Sequence, residues 1–170
     1  MLSYLAIRDF AIIHTLQVEL PPGFCVLTGE TGAGKSILVQ ALHLLLGGRA
    51  ATDMIRTDTD AAEVEAVFSL ADGARVLQRL DEMELRDGDQ LTIRRVVSRS
   101  GRSRAFVNGR VVTLSVLGEL TRGLADISGQ HEHVELIDEE THREVLDDFG
   151  GLGSELAEVG RVVRALGEVE

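Results

Sequence analysis

The stretch Gly29-Glu30-Thr31-Gly32-Ala33-Gly34-Lys35-Ser36 fits the phosphate-binding pattern G-x-x-x-x-G-K-S/T at every fixed position. Its flanks make the match specific. Phe24-Cys25-Val26-Leu27-Thr28 before it is a short apolar run of the kind a buried strand uses. Residues 37–46 after it are mostly apolar and are closed by Gly47-Gly48, which predicts a helix with a glycine stop. A strand, a glycine loop and a helix let successive backbone N–H groups turn inward at a polyphosphate, with the helix N-terminus adding partial positive charge. In that arrangement Lys35 reaches the β- and γ-phosphates as a point charge and the Ser36 hydroxyl ligates Mg²⁺.

Lys35 is the only lysine; the other sixteen basic residues are arginine. At 170 residues, with 44% hydrophobic and 26% charged residues, the chain is one globular domain or one piece of a larger one. A single cysteine, Cys25, excludes a disulfide framework and points to a reducing cytoplasm. The N-terminus lacks the basic start and long apolar run of a signal peptide, and no stretch has the length of a membrane span. The net charge of −11 argues against a chain that coats nucleic acid. Yet Arg94, Arg95, Arg99, Arg102, Arg104 and Arg110 fall in one window without an acid, a candidate basic hairpin for DNA or a partner, or an edge hairpin kept soluble by charge.

Residues 2–20 read as two strands, placed ahead of the loop rather than after it, and Pro21-Pro22-Gly23 turns the chain into the lead-in strand. Residues 63–70 alternate as a strand, Val76, Leu77, Leu80 and Met83 have helical spacing, and residues 91–98 and 104–107 are strands. Asn108-Gly109 signals a hairpin returning through Val111-Val112. Leu114, Leu117, Leu120, Leu124 and Ile127 mark one helix face, with Thr113 as N-cap. A further helix is expected from Thr141 to Gly150-Gly151, and Leu156, Val159, Val163 and Leu166 form an a/d seam over about two heptads. The chain ends at Glu170 without a C-cap, as if the seam continued.

Hydrolysis at such a loop needs an acidic group at the end of a second apolar strand. The nearest match, residues 134–139, is interrupted by Glu135. Ile127-Ser128-Gly129-Gln130 looks like a shortened LSGGQ signature, but it lacks a glycine and follows the wrong element. The sole asparagine, Asn108, precedes glycine, so no N-K-x-D guanine-reading motif exists. His131 and His133 alternate around Glu132 without a third ligand and read as structural.

Together, the phosphate loop, Leu44-Leu45-Leu46-Gly47-Gly48-Arg49-Ala50, Ile93-Arg94-Arg95-Val96, residues 101–109 and Gly129-Gln130-His131-Glu132-His133 resemble the N-terminal part of the RecN DNA-repair family. That family is related to the structural-maintenance-of-chromosomes (SMC) proteins. The resemblance implies an α/β P-loop fold, an ATP-binding-cassette/SMC-type head lobe with a mixed sheet and antiparallel N-terminal strands. Residues 1–152 would form the lobe and 153–170 the start of a coiled coil. It implies ATP and Mg²⁺ bound by residues 29–36, with Gln130 as the Q-loop glutamine beside Mg²⁺ and the attacking water. Arg49 or Arg56 would contact phosphate, and Arg8 would lie by the base. The implied partners are DNA, the C-terminal half of the same head, and a second head in a homodimer, with no membrane and a cytoplasmic, nucleoid-associated setting. ATP held between two heads would drive their closure during DNA recombination and repair. The signature motif and the Asp-Glu strand are absent from the sequence, so this lobe would bind nucleotide without completing hydrolysis. A small P-loop kinase acting on a metabolite is the alternative, and a non-hydrolysing DNA-binding module a third reading. The kinase needs a substrate lid and an acidic acceptor site, and neither can be placed.

Overall fold

The structure is a computed structural model describing residues 1–28, 32–71, 75–122, 124–125, 127, 146–147 and 149–167, with backbone only at 32, 33 and 75. Two compact units are present, Met1–Ala125 and Asp126–Glu170.

The first unit is built on a six-stranded sheet of order β2-β1-β3-β4-β5-β6. The strands are β1 (Leu2–Phe10), β2 (Ile13–Glu19), β3 (Ala61–Ser69), β4 (Gln90–Ser98), β5 (Ser103–Val107) and β6 (Arg110–Val112). Every pairing among them is antiparallel. Period-two alternation sends Leu5, Ile7, Val64, Ala66, Phe68, Leu91, Ile93, Ala105 and Val107 to one buried face. Glu63, Glu65, Arg94 and Phe106 line the other, as expected for an antiparallel sheet wet on one side.

Three helices share the core with the buried face: α1 (Gly32–Leu45), α2 (Arg75–Glu82) and α3 (Leu114–Thr121). From α1 come Ile37, Ala41, Leu44 and Leu45, spaced four, three and one apart, the stripe that an amphipathic helix buries. Helix α1 ends in a Schellman turn. Gly48 N–H donates to His43 O at 2.9 Å, Gly47 N–H donates to Leu44 O at 3.3 Å, and Gly47 takes φ +101°. The Asn108-Gly109 turn has both residues left-handed, at φ +46° and +77°, as a type I′ hairpin requires. Asn108 is tied down further: Thr92 N–H donates to its Oδ1 and its Nδ2 donates to Leu85 O, each at 2.8 Å.

Two expectations change. Residues 24–28 are not a strand: Phe24 is 93% exposed, Val26 64% and Leu27 55%. A strand exists only by pairing, and no described strand pairs with this segment. Second, α3 is shorter than its apolar spacing implied. Thr113 caps it, accepting from Val116 N–H, but it stops at Thr121, and Leu124 and Ile127 lie past its end. The Thr121 hydroxyl, with one proton to donate, lies 2.9 Å from Leu117 O and 3.0 Å from Leu46 O, between the last turn of α3 and the end of α1. In the second unit, α4 (Gly153–Gly167) carries Leu156, Val159, Val163 and Leu166, all exposed. The helix expected to begin at Thr141 starts outside the described residues.

Candidate nucleotide-binding site

Helix α1 has no acidic residue in its first turn, so its N-terminal partial positive charge is not offset locally. Gly34, Lys35 and Ser36 occupy that turn and are exposed. Beside them opens a cleft of about 590 Å³, with Gly34, Lys35 and Leu38 on one side, Leu27 and Thr28 on the lead-in, and Ile13, His14, Thr15 and Leu16 of β2 opposite. Its lining is mostly apolar and includes Lys35, chemistry that suits an apolar ring attached to an anionic tail.

Gly34 supplies a test of fit. Its backbone is not left-handed, and a Cβ built there meets no atom within 4 Å. Among the described residues, neither a left-handed backbone nor a packed neighbour calls for glycine at this position. The space in front of it is open, as an approaching anionic group would require.

Gly32 and Ala33 join the first turn of α1 through their backbone. Gly29, Glu30, Thr31 and Gln130, with His131 and His133, lie outside the described residues. The two arginines named as phosphate contacts are placed differently. Arg49 is exposed just beyond the Gly47-Gly48 stop. Arg56 is half-buried, its Nη1 donating to Ile12 O at 2.7 Å while its own N–H donates to Asp9 O at 2.9 Å. Arg56 therefore holds the β1–β2 turn, whose second strand walls the cleft. Arg8 lines a separate depression of about 130 Å³ with Tyr4, Gln17, Glu63 and Glu65.

The β2 wall escaped the sequence reading. His14 is the clearest case: its Nδ1 lies 2.7 Å from Asp9 Oδ1, and the side chain is 76% exposed. A carboxylate only accepts, so Nδ1 carries the proton and Nε2 is left for another partner. Alternation in β2 made Leu16 legible as inward-facing, but nothing local reports that this edge strand lies opposite Lys35.

The basic window separates into different roles. Arg95 is wholly buried. Arg94 sits over the Phe106 ring, 4.2 Å from its centroid, with Glu63 at 3.8 Å and Glu65 at 4.0 Å. Arg99 Nε donates to Thr59 O at 2.6 Å and its Nη2 to Arg56 O at 3.0 Å. Arg110 Nη1 donates to Glu84 O at 2.7 Å. Arg102 and Arg104 are exposed, and their guanidinium groups make no hydrogen bond or ion pair among the described residues, although Arg102 O accepts from Ser98 N–H at 2.9 Å.

A family profile described as an AAA domain matches residues 4–144. The chain belongs to the AAA domain family. Among relatives of this AAA-domain chain, the DNA repair protein RecN of Vibrio cholerae is 44% identical over 151 residues, covering 89% of this chain and 27% of that protein. RecN of Bacillus subtilis is 44% identical over 158 residues, covering 92% and 27%. The chain thus represents an N-terminal, SMC-like ATPase-head portion of the RecN kind, spanning about a quarter of the length of those relatives. A structure from work on ATP-driven dimerization and DNA-stimulated activation of SMC ATPases superposes with a TM-score of 0.63 at 24% identity, over 87% of this chain and 98% of that one. At that identity the likeness establishes the fold, an α/β P-loop head lobe of SMC type.

Proposed function

We propose that this chain is the ATP-binding lobe of a RecN-type DNA double-strand-break repair ATPase. The observation that carries the reading is the cleft between β2 and the first turn of α1, with Gly34 and Lys35 on its wall. Residues 29–36 hold the triphosphate, Lys35 neutralises its charge and the Ser36 hydroxyl takes the Mg²⁺ that screens the phosphates when bound. The base and ribose lie against Leu16, Leu38 and His14. By the RecN resemblance, Gln130 orients water beside the terminal phosphate, and Arg49 and Arg56 stand by as phosphate contacts.

Residues 1–152 act as one lobe of the head and 153–170 begin a coiled coil. Hydrolysis requires an acidic strand and a signature motif that this sequence does not contain, so a C-terminal half must supply them. The exposed Phe24, Val26 and Leu27 support that reading, because clustered apolar exposure marks an interaction surface. ATP held between two such heads drives their closure and couples nucleotide state to DNA, in a cytoplasmic, nucleoid-associated protein. Among the described residues, no helix is long and apolar enough to cross a membrane.

The test is titration of the chain with MgATP, alongside Lys35→Ala. Charge-assisted bonds are worth about 1.5–3 kcal/mol each, so affinity falls by at least about tenfold in the variant, with negligible turnover in either. Unchanged affinity in Lys35→Ala refutes the assigned role. Transfer of phosphate to a metabolite panel would favour a kinase instead.

A further inference from the structure

The C-terminal end of α1 is held by side chains from elsewhere in the fold. Arg95, in mid-β4, is wholly buried. Its Nη1 donates to Leu44 O at 2.7 Å and to Gly48 O at 3.4 Å, and its Nη2 donates to Ser103 Oγ on β5 at 2.7 Å. Its Nε is buried without a partner, and no carboxylate pairs with it among the described residues. The negative end of the α1 dipole is what faces this cation.

That arrangement is costly where an apolar residue would pack without penalty. Burial disfavours the charged form, and desolvation lowers the Arg95 pKa from its ordinary value. The guanidinium fork does one thing a Met or Leu cannot: it joins the β4–β5 hairpin to the last carbonyls of α1 in a fixed geometry.

We propose that Arg95 is a positioning residue for the phosphate loop. The inference rests on the nucleotide reading of the cleft. Helix α1 is a rod of 14 residues, spanning about 20 Å at 1.5 Å per residue. Its far end carries Gly34, Lys35 and Ser36, so the attitude fixed at Leu44 and Gly48 sets where those groups stand. The link runs both ways, since coupling between two sites is reciprocal. Nucleotide seated on the first turn of α1 is felt through Arg95 at Ser103 and at the hairpin tip, where Ser98 N–H and Oγ donate to Arg102 O and the Arg102 side chain is exposed. The hairpin thereby senses whether the loop is filled.

The experiment is amide hydrogen exchange on the full chain with and without MgATP, for wild type, Arg95→Lys and Ser103→Ala, with nucleotide affinity measured in parallel. Arg95→Lys keeps the charge and one carbonyl bond but cannot bridge to Ser103. Ser103→Ala removes the hairpin anchor and leaves the arginine. In wild type, MgATP slows exchange in residues 98–105 as well as in α1. In both variants the hairpin no longer responds and affinity falls about three- to tenfold, while the circular dichroism spectrum is retained. A purely structural Arg95 predicts no nucleotide-dependent protection at the hairpin in any protein, and that result overturns the proposal, as does wild-type response and affinity in both variants. A wild-type chain that takes up no MgATP overturns the nucleotide reading instead. Arg95 is then judged on the nucleotide-free arm: faster exchange across α1 than global stability accounts for sustains its positioning role, and unchanged exchange ends it.

Discussion

Gly34→Ala should move stability and binding in opposite directions. Gly34 lies in the first turn of α1 without left-handed backbone, and an added methyl meets nothing within 4 Å. The substitution therefore introduces no clash, and it lowers the entropy of the unfolded chain. Gly→Ala at a compatible helical site is worth about 0.5–1 kcal/mol, which for a chain of this size raises the melting temperature by about 1–4 °C. The ligand meets the opposite effect. On the proposed nucleotide reading, N–H groups of the loop would hold phosphate oxygens at about 2.7–3.2 Å, and a methyl in that space would displace them. Losing two charge-assisted bonds at about 1.5–3 kcal/mol each lowers affinity by about 100-fold or more. Differential scanning fluorimetry without ligand and calorimetric titration with MgATP read the two arms separately. Wild-type affinity in Gly34→Ala would refute the seating of phosphate against this residue. A fall in melting temperature would show that the glycine serves the fold.

Two further outcomes check other parts of the reasoning. Asn108→Ala strands Thr92 N–H and Leu85 O and forces alanine into a left-handed site, so it should cost about 2–4 kcal/mol, read as a drop of about 5–15 °C in melting temperature. Phe24→Ser, at a residue 93% exposed, should leave the melting temperature of the chain within about 1–2 °C, since exposed substitutions rarely exceed 0.5 kcal/mol. The same change should weaken assembly with a separately expressed C-terminal half of the head, measured by co-elution.

Where structure follows from local rules, the sequence was readable. The β1–β2 and β5–β6 hairpins, the Gly47 helix stop and the Thr113 cap each depend on residues within a few positions of one another. The lead-in at residues 24–28 failed for a reason that no local rule reports. Its continuous apolar run describes a buried strand that needs neighbours to pair with, and no strand of the described sheet pairs with it. The loop motif marked part of the cleft lining, whereas the β2 residues that share it lie well before that motif in the chain, a separation no local rule bridges. His14 could not be found from spacing, because Asp9 and His14 meet across a turn in which Asp9 and Ala11 are both left-handed. Arg95 was read with Arg94 as part of one six-arginine basic window. Alternation puts those two residues on opposite faces of β4, and only the tertiary structure tells which face is buried.

The arginines bear directly on DNA. Of the sixteen arginines, Arg56, Arg79, Arg95, Arg99 and Arg110 all donate to backbone carbonyls where segments meet. A planar fork reaches two acceptors at once, as Arg99 does at Thr59 and Arg56 and Arg79 does at Glu119 and Arg122, which an ammonium on a flexible stem does less well. Counting charge along the 94–110 window therefore overstates what that hairpin can offer a phosphate backbone. Arg102 and Arg104 are the two whose guanidinium groups are not already engaged among the described residues. Each phosphate neutralised contributes about −0.9 to the slope of log affinity against log salt. Duplex DNA bound through this hairpin should thus show a slope near about −2, and Arg102→Ala with Arg104→Ala should abolish it. A slope near about −5 that survives the double change would mean that the arginines assigned to carbonyls release them for DNA, and the assignment of those side chains to the fold would be wrong.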